Sequence, residues 1–186
     1  MNNSGRLILF SGPSGVGKDT LLELLYKKKP DLLRSVSATT RKKRENEVNG
    51  KDYYFISKEE FELMIQSGNI LEYTKYGDNL YGTPKKPIDE WLKDGKSVIL
   101  KIEVHGAKQI KQLYKNSVAI FILPPSIEIL EERLRKRGTE DEKDLRERMN
   151  IAISEIAQSS EYDYVVFNDN LETAVDEIIE ILNKTI

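Results

Sequence analysis

A ten-residue loop near the start of the chain constrains the fold more than any other feature. An apolar run, Arg6–Phe10, leads into Ser11-Gly12-Pro13-Ser14-Gly15-Val16-Gly17-Lys18-Asp19-Thr20. A helical pattern over Lys18–Lys29 follows, with Leu21, Leu22 and Leu25 on one face and Pro30 as its stop. The loop fits G-x-x-x-x-G-K, and the strand before it and helix after it supply the context that gives this pattern meaning. Glycines let successive backbone N–H groups converge on an anion at a helix N-terminus, and the lysine adds a mobile charge for the β- and γ-phosphates of a nucleotide. A glycine-rich turn without a ligand has no need of such a frame. The loop therefore predicts a phosphate-binding α/β domain. One residue departs from the pattern: Asp19 stands where a Ser or Thr hydroxyl normally ligates Mg²⁺. Thr20 is the nearest substitute, and whether Thr20 or a water takes that role stays open at this level.

The rest of the chain alternates apolar runs with helical patterns, as a largely parallel sheet requires. Ser97–Ile102 and Ser117–Leu123 read as buried strands joined by a helix over Gly106–Tyr114. Ser126–Lys136 reads as a helix capped by Ser126, and Tyr164–Phe167 as a last short strand. Leu171, Ala174, Val175, Ile178, Ile179 and Leu182 recur at helical spacing and predict a terminal helix. Two segments break the rhythm. Residues 35 to about 88 are rich in Arg, Lys, Tyr and Gly, with a helix over Lys58–Ser67 and short strands near Tyr53–Ile56 and Ile70–Lys75. Residues 137–148 are charged and poor in apolar side chains. Neither reads as a core element; both read as mobile attachments of the kind that carry substrate-gripping groups. At 186 residues the chain suits one domain, with a core of 1–34, 89–136 and 149–186. Its 29 basic and 31 acidic residues nearly cancel, which argues against a nucleic-acid binder. The absence of cysteine excludes disulfides and thiolate chemistry. No apolar stretch is long enough to span a bilayer, and Met1–Gly5 lacks the look of a signal peptide. A cytoplasmic enzyme with no membrane partner is expected, as a monomer or a homodimer.

Further motifs follow in order. Ser37-Ala38-Thr39-Thr40-Arg41-Lys42-Lys43-Arg44 lies about 20 residues after the loop. Alone it reads as a solvated basic turn or an RNA-binding patch, but beside a phosphate loop two arginines three apart make a clamp for a second phosphate. Asn49-Gly50-Lys51-Asp52-Tyr53-Tyr54-Phe55, Gly68-Asn69-Ile70-Leu71-Glu72, Tyr81-Gly82-Thr83, Arg137-Gly138-Thr139-Glu140 and Asn168-Asp169 come next. Taken in this order, the motifs resemble the guanylate kinase family over nearly the whole chain. The resemblance implies a P-loop kinase three-layer fold: a parallel-sheet core, an NMP-binding insert at about 35–88 and a lid at about 137–148. It implies transfer of the γ-phosphoryl group of ATP to GMP, and to dGMP, with Mg²⁺.

Carried over motif by motif, Ser11 to Thr20, Arg133 and Asn168 are the ATP side. Ser37, Arg41, Arg44, Tyr53, Glu72, Tyr81, Thr83 and Glu103 are the GMP side. Arg41, Arg44, Tyr53 and Tyr81 match the phosphate grip. Glu72 matches the residue that accepts from guanine N1–H and the 2-amino group, while Ser37 and Thr83 can donate to O6. Without the motif, Glu72 would read as an ordinary strand carboxylate. Lys18, Arg41, Arg44, Arg137 and Arg148 form the catalytic set, since phosphoryl transfer needs charge cancellation more than covalent chemistry. Asn168-Asp169 reads equally as an adenine-side contact or as an N-cap of the last helix. His105 reads as a polar helix-start residue. A second departure is Lys101, where the family pattern is acidic; Glu103 follows at its second acidic position. The rival readings are another NMP kinase, which acceptor comparison would separate, and a catalytically silent guanylate-kinase-like binding module. Against the second stand the intact Gly17-Lys18, Arg41 and Arg44 and the lack of room for a further domain.

Overall fold

The strand that precedes the loop, β1 (Leu7–Ser11), has all five residues buried, as a strand covered on both faces must. The computed structural model describes residues 5–136 and 142–186. After β1 come α1 (Lys18–Lys28), β2 (Leu33–Arg34), β3 (Ala38–Thr39), β4 (Tyr54–Phe55), α2 (Lys58–Gln66), β5 (Ile70–Tyr76) and β6 (Asn79–Pro84). The chain continues through α3 (Lys85–Lys93), β7 (Val98–Lys101), α4 (Val104–Leu113), β8 (Val118–Leu123) and α5 (Ile127–Lys136). Then follow α6 (Glu142–Ile156), a short 3₁₀ turn, β9 (Tyr164–Phe167) and α7 (Leu171–Thr185).

Five strands form one parallel sheet in the order β2-β7-β1-β8-β9. Its alternating side chains feed two cores, as the period of two demands. Ile8, Phe10, Ile99, Ile120 and Ile122 meet α1 and α7 on one face. Leu7, Leu9, Val98, Leu100 and Ala119 meet α3 and α4 on the other. Each fully buried Leu, Ile or Phe contributes on the order of 1.5–3 kcal/mol. These helix–sheet–helix layers are the three-layer architecture expected. Ser126 caps α5 as anticipated, its hydroxyl accepting from the Ile129 amide at 3.3 Å.

Several boundaries differ from the sequence reading. The 35–88 region builds its own four-stranded sheet, β4-β3-β6-β5, and carries the fully buried Ala38 and Phe61, so it has a small core. α3 straddles the expected end of that insert: Ile88 is buried among Leu7, Leu9 and Leu100 of the main sheet. α4 starts at Val104 rather than Gly106, because Val104, Ala107 and Ile110 form one buried stripe; a Cβ on Gly106 would lie 2.9 Å from Ile102. The charged stretch becomes helical from Glu142, and its Leu145 and Met149 pack against Leu130 and Leu134 of α5. In α7 the buried face takes in Ile181, while Ile179 is only partly buried.

Candidate active site

The loop between β1 and α1 wraps the C-terminal edge of the parallel sheet, where open α/β sheets place their ligands. Gly17, the N-cap of α1, has φ +96°, and a Cβ there would stand 2.6 Å from Asn168 Nδ2. Only glycine meets both conditions. Asn168, buried between β9 and α7, donates from Nδ2 to the Val16 carbonyl at 2.7 Å. Arg133 of α5 donates to the same carbonyl at 3.3 Å and to the Asn168 carbonyl at 3.2 Å. Arg133 and Asn168 thus brace the loop from behind. The helix cap of α7 is Asn170, whose side chain accepts from the Thr173 amide, which removes the N-cap alternative for Asn168-Asp169. Lys18 folds back over the loop, donating to the Gly12 carbonyl and to the Pro13 carbonyl at 3.0 Å. Burial pushes its ammonium pKa down to about 8; Lys101 adds to this, and Glu155, Asp19 and Glu103 oppose it.

A cleft of about 720 Å³ opens from Gly12, Ser14 and Lys18 to Ser37, Glu72, Tyr81, Lys101, Glu103, Arg148 and Glu155. Its far wall is the small sheet. Glu72 on β5 is half-buried and accepts from the Thr83 hydroxyl of β6 at 2.6 Å. Burial raises the Glu72 carboxyl above the usual range, with Glu103 reinforcing the rise and the Thr83 bond opposing it. The single Thr83 proton is therefore engaged by Glu72 in this arrangement, leaving Ser37 as the nearby hydroxyl with that donor chemistry. Arg41 is gripped bidentately by Glu47, at 3.0 and 2.6 Å. Its guanidinium also lies 5.6 Å from the ring centres of Tyr53 and Phe55, and Tyr53 meets Tyr81 edge-on. Hydrogen bonds from Arg41 and from the Arg44 amide push the Glu47 carboxyl down to about 2. Arg44 itself is exposed on the same turn.

On the loop side, Arg148 of α6 donates to the Ser14 hydroxyl at 2.9 Å. Lys101 at the end of β7 pairs with Asp19 at 2.6 Å. Partial burial would raise the Asp19 carboxyl, but the hydrogen bond and charge of Lys101, with Lys18, outweigh it and hold it below its ordinary value. Glu103 is exposed at the N-cap position of α4, and His105 lies exposed in its first turn. Thr20, like Asp19 beside it, is exposed on the first turn of α1 at the rim of the phosphate loop. Arg137 lies outside the described residues. Among the described residues no three His, Asp or Glu side chains cluster as a metal cage. A cation carried on phosphates and touched by one carboxylate needs no such cage, and Asp19 offers that carboxylate.

The sequence matches the family model described as guanylate kinase over residues 4–185. The chain belongs to the guanylate kinase family. It is 50% identical over 180 residues to a guanylate kinase from Carboxydothermus hydrogenoformans, covering 97% of this chain and 88% of the relative. A guanylate kinase from Synechocystis is 47% identical over 97% of this chain and 94% of its own length. Among solved structures, guanylate kinase from Anaplasma phagocytophilum superimposes with a TM-score of 0.72 at 34% identity, covering 99% of this chain and 87% of that one. A shikimate kinase from Bacteroides thetaiotaomicron, 16% identical with a TM-score of 0.52 over 96% of this chain and 98% of that one, shares the fold alone.

Within this guanylate kinase framework the cleft itself is lined by eight of the expected residues, Gly12, Ser14, Lys18, Ser37, Glu72, Tyr81, Glu103 and Arg148, while Arg41, Tyr53, Thr83, Arg133 and Asn168 lie behind them. Three features escaped the sequence reading: Glu47 as the holder of Arg41, the Asp19–Lys101 pair, and Glu155 beside Lys18. Glu47 had a faint signal, a carboxylate six positions after Arg41. Asp19 and Lys101 each stand out as departures from their motifs, but nothing in the sequence joins them, and Glu155 had no signal. No helix among the described residues is long and apolar enough to cross a membrane.

Proposed function

We propose that the protein transfers the γ-phosphoryl group of ATP to GMP, and to dGMP, giving ADP and GDP or dGDP in the purine nucleotide metabolism of the cytoplasm. The observation that carries this reading is Glu72, a half-buried carboxylate oriented by Thr83 on the same cleft as Lys18. Guanine presents N1–H and its 2-amino group side by side, and one carboxylate accepts from both. Adenine has neither donor there, so AMP would leave a partly buried charge unpaired. Sites built around such bonds discriminate by orders of magnitude. Ser37 donates to guanine O6, Glu103 faces the 2-amino side, and Arg41, Arg44, Tyr53 and Tyr81 hold the GMP phosphate.

The loop from Ser11 to Thr20 cradles the ATP phosphates, braced by Arg133 and Asn168. Arg148 and Arg137 add positive charge from the lid side. No general base is required, because the attacking GMP phosphate oxygen is already anionic. Its electron pair forms the new P–O bond while the bond to the bridging oxygen breaks and leaves that pair on ADP. Lys18, Arg41, Arg44, Arg137 and Arg148 balance the charge that spreads over the transferred group. Mg²⁺, when bound, neutralises β- and γ-phosphate oxygens; Asp19 and Thr20 are the residues that would hold it, directly or through water. Closure of the small-sheet insert, β3 to β6, over the cleft keeps water from the reacting phosphate.

The test is an ADP-release assay with GMP, dGMP, AMP and UMP as acceptors. GMP should exceed AMP in kcat/KM by at least about a thousandfold. AMP as the best acceptor would sink the reading. Failure to bind ATP in titration calorimetry would point instead to a silent binding module.

A further inference from the structure

The two positions that depart from the motif patterns, Asp19 and Lys101, are bonded to each other although 82 residues separate them. Lys101 ends β7 directly beside Phe10 of β1. Its side chain therefore enters the cleft next to Lys18, on the path toward Ser37, Glu72 and Glu103. It also lines a second hollow with Ser35, Ser37 and Tyr53, next to the aromatic seat of Arg41. Lys101 thus stands between the group that holds one phosphate and the group that holds the other. The pair is open to solvent, with side chains 44% and 64% exposed. An ion pair of that exposure is worth at most about 1 kcal/mol, so it exchanges partners readily.

We propose that Lys101 is a catalytic cation of the phosphoryl transfer, held by Asp19 and handed to the transferring phosphoryl group when Asp19 takes a divalent cation as its partner. The proposal rests on the function argued above. Asp19 directly follows the loop lysine, where the phosphate-loop pattern has its metal-ligating hydroxyl. A carboxylate is a hard oxygen ligand suited to that place. An ammonium and a divalent cation held on the same carboxylate repel each other, which disfavours joint occupancy. Asp19 therefore exchanges one for the other, and the released ammonium, a mobile point charge with three donors, turns to the equatorial oxygens of the group in flight. The bond that breaks is between the γ-phosphorus and the oxygen leaving with ADP, and the bond that forms is to the GMP phosphate oxygen.

The test uses the full chain and the variants Lys101→Met, Lys101→Arg, Asp19→Asn and Asp19→Asn/Lys101→Met. Lys101→Met should lower kcat with GMP by about a hundredfold, the scale of loss when one donor to a developing charge is removed; Lys101→Arg should fall between it and the parent. The second readout is ADP affinity by calorimetry at a series of Mg²⁺ concentrations. Lys101→Met should need several-fold less Mg²⁺ to reach half of the Mg²⁺-dependent gain, because the competitor for Asp19 is gone. Asp19→Asn should need several-fold more, and the double variant should follow Asp19→Asn. A parental kcat in Lys101→Met, or a Mg²⁺ midpoint that is unchanged or raised, overturns the proposal. Failure of the parent to phosphorylate GMP would sink the acceptor assignment instead, while the ADP–Mg²⁺ titrations would still report on the exchange.

Discussion

Replacing Glu72 by Gln tests the acceptor site with least disturbance of the fold. The amide is isosteric, and its oxygen can still accept from the Thr83 hydroxyl, which lies 2.6 Å from the carboxylate. The change falls on guanine. A carboxylate accepts from both guanine donors, whereas the amide offers one acceptor and sets an N–H against an N–H. Losing one hydrogen bond to a charged group, with a donor left unmatched, costs about 3 kcal/mol. At about 1.4 kcal/mol per tenfold, kcat/KM for GMP should fall on the order of a hundredfold, with the KM for ATP unchanged. Stability should move the other way. Burial raises the Glu72 carboxyl above its ordinary value, so its ionised form is disfavoured in the fold. That contribution is favourable below the ordinary carboxylate pKa and is lost as pH rises through the raised one. At neutral pH the Gln variant should therefore melt higher than the parent in differential scanning calorimetry. In the parent, the KM for GMP should rise as pH falls through the raised pKa. A loss in kcat/KM for GMP below about tenfold, or an equal rise in the KM for ATP, would refute the assignment of Glu72.

Other parts of the cleft make separate predictions. Asn168→Ala removes a buried donor to the Val16 carbonyl, which should cost about 1–3 kcal/mol of stability and raise the KM for ATP more than that for GMP; chemical denaturation and steady-state kinetics measure the two effects. Glu47→Gln loosens the bidentate hold on Arg41 and should raise the KM for GMP while sparing ADP affinity in calorimetry. The Lys18 ammonium is pushed down to about 8 by burial, so ADP binding should weaken as pH rises through that value and the charge is lost. Calorimetric titrations between pH 7 and 9.5 would show it, and a flat profile would count against Lys18 as the phosphate cation.

The parts legible in the sequence were those built from local pattern. β1, the phosphate loop, β8, β9 and the stripe of α7 all follow from apolar runs or helical spacing, and the ordered motifs named the candidate residues. The parts that were not legible depend on tertiary pairing. α3 carries Pro87 and three lysines in nine residues, so its helical spacing is confined to Ile88, Trp91 and Leu92, too short a stripe to stand out; Pro87 is tolerated because it lies in the first turn. β6 contains Gly82 and Pro84, poor strand formers, and is a strand because β3 and β5 flank it. α6 looked too charged for the core, yet Leu145, Met149 and Ala152 are enough to seat it. Of the site, residue types were readable but commitments were not. The sequence offers Thr83 and Arg41 as ligands for a substrate; in the fold Glu72 and Glu47 already hold them.

The tie between Val16 and Asn168 also bears on how the protein comes into being. The phosphate loop is made well before two of its braces, Arg133 and Asn168, which lie 117 and 152 residues further along the chain from Val16. β1 must likewise wait for β7 and β8 before it has either neighbour. Parallel sheets with such distant pairings assemble late and slowly. A chain lacking β9 therefore has the nucleotide-binding motif without its shape, and the loop becomes rigid only once β9 has joined the sheet and brought Asn168 to Val16. Competence to grip a nucleotide thus reports that the parallel sheet is complete out to its β9 edge.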